Sequence, residues 1–170
     1  MNWTVALAML PLLALLALAS YVDRVFQEIG KFLSREFQDN IDVFEQKVEP
    51  ILQVSRSRAA LSMSVLKQLT TATIALLVGF VVFGDQRWSV YEILQAAISL
   101  ILIVIIFNQF LPFVLFSRTN GAWLIRWAWL VRILIYLVLP VTIVLGFLQS
   151  VASLTHQNTR EQPEDRKSVV

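Results

Sequence analysis

The stretch AWLIRWAWLVRILIYLVLPVTIVLGFL, residues 122–148, places two arginines, three tryptophans and a proline in an apolar run long enough to cross a bilayer. If it crosses, the chain has four spans; if it lies in the inner leaflet, it has three and a belt. Trp123, Trp127 and Trp129 suit the interface, and from there Arg126 and Arg132 can reach headgroups. Pro140 is expected to bend the segment and turn a dipping helix back toward the cytoplasm. A kinked crossing from Ile133 to Gln149 is the alternative.

Charge distribution bears on the choice. Of 170 residues, 57% are hydrophobic and 15% charged, more apolar surface than a water-soluble core of this size could hide, so the chain reads as an integral membrane protein. Three further apolar stretches predict spans at about residues 3–22, 62–84 and 92–116. The second borrows Ala59 to Val65 at its start and extends the Lys67 ammonium toward the interface. Only Met1 and Asn2 precede the first span, whereas Arg24, Lys31 and Arg35 follow it. Despite the small-x-small pattern Ala17-Leu18-Ala19, this asymmetry predicts an uncleaved anchor with its N-terminus outside. A fourth crossing would then divide the 14 basic residues ten inside to four outside, and a dip thirteen to one. The positive-inside tendency favours the dip. The expected fold is all-α integral membrane: three transmembrane helices, a cytoplasmic-side amphipathic helix, and a re-entrant or belt-like fourth apolar segment at 122–149. Residues 156–170 form a polar cytoplasmic tail.

Between the first two spans, Val22, Val25, Phe26, Ile29, Phe32, Leu33, Phe37, Ile41, Phe44 and Val48 recur at three- and four-residue intervals. This is an amphipathic helix or helical pair, which Pro50 is expected to end. Packing on the other helices is its plain role; a contact for another subunit is the sharper one.

Several function classes are not supported. A net charge of +2, without a basic run interleaved with aromatics, argues against nucleic acid as a partner. The absence of cysteine removes disulfides, thiolate metal sites and Cys nucleophiles. A lone His156 near the tail and five scattered glycines suggest neither a catalytic triad nor a phosphate loop, so no enzymatic activity is expected. What remains is polar residues inside the spans. Ser62 and Gln68 in the second, with Asn108 and Gln109 at the end of the third, could share a depth and offer neutral oxygens to a cation. Interhelical hydrogen bonding, ordinary in membrane packing, explains the same residues.

The order of these features resembles the transmembrane domain of the CNNM/CorC family, membrane proteins linked to magnesium and other divalent-cation transport. The resemblance covers roughly residues 1–155 and rests on the layout and two patches. LSMSVLKQLTTAT at 61–73 looks like the family's serine-bearing helix start, with Ser62 at the hydroxyl position but Lys67 and Gln68 where a Gly-Asn pair is usual. NQFLPF at 108–113 resembles its Gly-Glu-x-Leu-Pro-Lys motif: Leu111 and Pro112 are kept, while Asn108, Gln109 and Phe113 replace Gly, Glu and Lys. Gln109 thus lacks the carboxylate that would offset a divalent cation's dehydration, and Lys67 adds a positive charge nearby. The resemblance implies a homodimeric module for transport of a divalent cation such as Mg2+, in which Ser62, Gln68, Asn108 and Gln109 surround the path and Pro112 breaks the third helix to free carbonyl ligands. It also implies a bacterial inner membrane location and a cytoplasmic C-terminus, with regulation from a separate cytoplasmic chain or a larger complex. The rival reading is a non-transporting structural or assembly subunit.

Overall fold

The computed structural model describes residues 3–29, 38–83 and 89–160, and every secondary-structure element among them is helical. In chain order these are α1 (Trp3–Glu28), α2 (Gln38–Val43), a π-helical turn (Phe44–Val48), α3 (Glu49–Leu52), α4 (Arg56–Phe83), α5 (Val90–Val104), a second π-helical turn (Ile105–Phe110), α6 (Leu111–Arg118) and α7 (Ala122–Arg160). Four apolar helical stretches are long enough to cross a membrane: Leu7–Glu28, Arg56–Phe83, Val90–Arg118 and Ala122–Leu148. Phe32, Leu33 and Phe37 of the amphipathic pattern, the turn containing Arg87, and the tail beyond Arg160 lie outside the described residues.

The prolines behave differently from expectation. Pro50 does not end its helix, which runs on to Leu52, and Pro112 does not break the third apolar helix, which continues to Arg118. Both are reached through a π turn. The residue before each proline bonds five residues back: Glu49 N–H to the Phe44 carbonyl, and Leu111 N–H to the Ile106 carbonyl. Proline has no N–H to give the carbonyl four residues behind it, and its ring crowds that carbonyl; widening the preceding turn relieves the conflict while the chain stays helical. Pro140 is likewise inside an uninterrupted helix, so α7 does not turn back there. Thr142 folds its hydroxyl onto the Leu139 carbonyl at 2.8 Å.

Packing is concentrated at one end of the bundle. Ala19, Val22 and Val25 on α1 are buried with Ala59, Met63 and Leu66 on α4. Ile41, Phe44, Val48 and Leu52 present one buried face along α2, the π turn and α3, matching the second half of the predicted amphipathic pattern. On α7 the buried residues include Leu124, Ala128, Val131, Ile135, Val138 and Thr142, spaced three or four apart. At the other end, Leu7, Leu10, Leu76, Phe80, Phe83 and most of α5 are exposed.

The course of α7 follows from its contacts. Trp123 stacks obliquely on Tyr21 of α1, with ring centroids 4.9 Å apart; Arg132 donates to Gln53 at 2.7 Å; Thr142 accepts from Ser62 of α4 at 3.3 Å. About 28 Å of helix separates Trp123 from Thr142. Their partners lie no more than about 10 Å apart along the bundle, because Asp23, two residues past Tyr21, touches Lys67, five past Ser62. A helix running alongside α1 and α4 would meet residues at opposite ends of them. Helix α7 instead crosses their packed end.

Candidate functional site

The four residues singled out as cation ligands do not bond to one another. Ser62 is fully buried on α4 and donates to Thr142, which in turn donates to the Leu139 carbonyl. Asn108 lies in the second π turn and accepts from Ser20 of α1 at 3.1 Å. Gln68 and Gln109 are both exposed, one on α4 and the other in the π turn. Ser62 and Asn108 thus spend their polar atoms on joining helices, the use expected of hydroxyls and amides in lipid. Among the described residues, no group of three or more His, Cys, Asp or Glu side chains is placed to hold a metal ion.

A charged pair occupies the packed end instead. Asp23 is almost wholly buried on α1, and its Oδ2 accepts from both Lys67 Nζ of α4 and Gln27 Nε2, the latter at 2.9 Å. Lys67 keeps 21% of its side chain exposed, so the ammonium reaches inward to α1 rather than out along the span. An unpaired carboxylate at this depth would be expensive, and the lysine and amide together make the position tenable. Hydropathy alone places Asp23 just beyond the first apolar stretch and Lys67 toward the interface. The available signal was Lys67 itself: one cation within an apolar span calls for a partner, and Asp23 is the first acid after the preceding span.

Asp23 also lines a groove of about 660 Å³ between the start of α4 and the later turns of α7. Ser57, Arg58 and Ser64 contribute polar atoms from α4, while Ile143 and Phe147 form the facing wall on α7. The two arginines of the stretch SRSR, residues 55–58, diverge here. Arg56 is held by Glu49, through Nε at 3.0 Å and Nη2 at 2.6 Å, and by Glu45 at 2.9 Å. Arg58 is exposed on the groove and makes no ion pair among the described residues.

A second polar node fixes the junction between the third apolar helix and α7. Asn40 accepts from the Tyr21 hydroxyl at 3.2 Å and donates to the Phe116 carbonyl at 2.7 Å, tying α2 to α1 and α6. Gly121 closes the turn with φ of +68°, and a Cβ there would lie 2.9 Å from Asn40 Oδ1 and 3.3 Å from the Tyr21 hydroxyl. Only glycine satisfies both the left-handed backbone and this close approach. Arg24 lies over the Phe113 ring at 5.0 Å, a cation–π contact linking α1 to α6. Arg126 and Arg132, expected at headgroups, differ in fate: Arg126 is exposed, and Arg132 is committed to Gln53.

Compared with protein families, characterised proteins and solved structures, the chain matches none.

Proposed function

We propose that this chain is a membrane module for passage of a divalent cation such as Mg2+, working as a homodimer with three spans and α7 as a belt. The observation that carries this reading is the Asp23–Lys67 pair, a carboxylate and an ammonium kept inside an apolar bundle and bordering an open groove. Ionisable groups are rarely retained at such depth without a role in moving charge. Lys67 acts as a tethered cation on Asp23, and an arriving ion competes with it for the carboxylate. Asp23 thereby provides the charge that Gln109 lacks, and the exposed amides of Gln68 and Gln109 offer neutral oxygens along the way. The transverse course of α7 favours the belt, because a helix lying across two spans cannot itself run parallel to the membrane normal. The layout that resembles the CNNM/CorC transmembrane domain supports the same reading, with a bacterial inner membrane location and the N-terminus outside.

The test is magnesium flux into proteoliposomes. Wild-type protein conducts, Asp23→Asn abolishes flux, and Gln109→Glu raises it by adding a carboxylate to the path. Folded, reconstituted wild-type protein that passes no magnesium would overturn the proposal. Labelling of a single cysteine placed at Ser168 checks the topology, with access from the cytoplasmic side expected.

One observation favours the structural-subunit alternative. The hydroxyl of Ser62 donates to Thr142 and the amide oxygen of Asn108 accepts from Ser20, so both already have protein partners. Under that reading wild-type flux is absent and the chain co-purifies with a larger membrane complex.

A further inference from the structure

The groove between α4 and α7 is polar on one side and apolar on the other, and its charge does not cancel. Asp23 is matched by Lys67, which leaves Arg58 as a guanidinium on the wall with no carboxylate partner among the described residues. The groove's volume of about 660 Å³ lies within the roughly 300–1,000 Å³ typical of ligand pockets. Ser57 and Ser64 add hydroxyl donors on the same helix, one turn to either side of Leu61. Opposite them, Ile143 and Phe147 are 55% and 67% exposed, an apolar wall continuous with the lipid-facing surface of α7. A singly negative, hydrogen-bond-accepting head joined to an apolar tail complements this lining in charge and shape.

We propose that the groove binds one anionic phospholipid. Arg58 and Ser57 hold the phosphodiester, and the acyl chain lies along Leu61, Ile143 and Phe147. A guanidinium suits this role because its planar fork of donors meets two phosphate oxygens at once. Arg56 does not share it, since it is not among the groove-lining residues and its charge is already offset by Glu45 and Glu49. The inference does not rest on cation passage, and lipid binding is measured without flux.

The experiment is native mass spectrometry of the purified full chain after detergent exchange, titrated separately with phosphatidylglycerol, phosphatidylcholine and inorganic phosphate. One phosphatidylglycerol per chain is expected, held at least tenfold more tightly than phosphatidylcholine, with inorganic phosphate alone giving no bound species. Arg58→Gln should weaken phosphatidylglycerol at least about tenfold, since a hydrogen-bonded charge contact of this kind is lost, whereas Arg126→Gln, outside the groove, should leave it unchanged. Gly146→Leu offers an independent block: a Cβ there meets nothing within 4 Å, so the larger side chain enters the groove without backbone strain and displaces the tail. Equal retention of the two lipids, undiminished binding to either groove variant, or binding of inorganic phosphate as tight as that of the lipid would each overturn the assignment.

Discussion

The first and third apolar helices show opposite relations between hydropathy and burial. The third, Val90–Arg118, is the more apolar of the two, yet only 6% of its most apolar window is buried, against 44% for Leu7–Glu28. In water the ranking would be reversed. Within lipid, burying one apolar side chain against another exchanges one hydrocarbon neighbour for another, so hydropathy reports contact with the bilayer and says little about packing. What selects the packed helix is small and polar residues: Ala17, Ala19 and Ser20 are buried on α1, and Ala59 and Ser62 on α4, where they let backbones approach. Helix α5 has no buried residue.

The contrast is broken most severely at Asp23. Asp23→Asn removes the charge that compensates Lys67 within the packed end, and loss of one partner of a buried pair costs about 3–5 kcal/mol. Because Lys67 retains partial access to the surface, the expected loss is about 3 kcal/mol, the lower end of that range. Unfolding of the purified protein in micelles checks it. The double variant Asp23→Asn/Lys67→Met should recover most of the loss, since no lone charge remains. A single variant as stable as wild type would remove the pair from the interactions that hold the bundle.

Gly121→Ala comes next. It forces a Cβ into a left-handed position, costing roughly 1–2 kcal/mol, and against Asn40 Oδ1 at 2.9 Å. Together the strain and the crowding predict a loss of about 2 kcal/mol, the upper part of that conformational range, together with weakened bonds from Asn40 to Tyr21 and Phe116. A thermal midpoint unchanged from wild type would show that the junction of α6 and α7 is not fixed by this node.

Ser62→Ala is expected to cost little, about 0.6 kcal/mol, the average for a hydrogen bond between helices in membranes. Thr142 keeps its bond to the Leu139 carbonyl in the variant, so no donor is orphaned. A loss several times larger would mean that Ser62 holds more than Thr142.

How far these contacts could be read from the chain differs by kind. Helical character and the length of the apolar stretches follow from composition and periodicity, which are local. Ser62 and Asn108 stood out as polar residues in apolar surroundings, but their partners Thr142 and Ser20 lie 80 and 88 residues away in sequence and carry no pattern that pairs them. Hydropathy treats charges singly and so places Asp23 and Lys67 each in water or at the interface, whereas burial becomes tenable only for the pair. The course of α7 was the least legible. Its tryptophans and arginines suggest a belt and its apolar length equally suggests a crossing, whereas its contacts with Tyr21 and Ser62 join residues that no local pattern pairs. The prolines mark where the helix has to adjust, but a break and a π turn solve the same lost hydrogen bond.

The smallest effect is expected on the bare side of the comparison. Leu94, Ile98 and Ile101 share one face of α5 and are 57%, 50% and 57% exposed. Alanine at all three removes contacts with lipid or detergent in both folded and unfolded forms, so the thermal midpoint of the monomer should stay in place, although the same truncation in a water-soluble core would cost several kcal/mol. The measurement discriminates because hydropathy and packing make opposite predictions for these residues: by hydropathy they matter most, by contact least. A midpoint that falls, and falls more steeply as the protein is diluted, would show that a second protein surface covers this face, and the third helix would then belong with α1 among the packed elements.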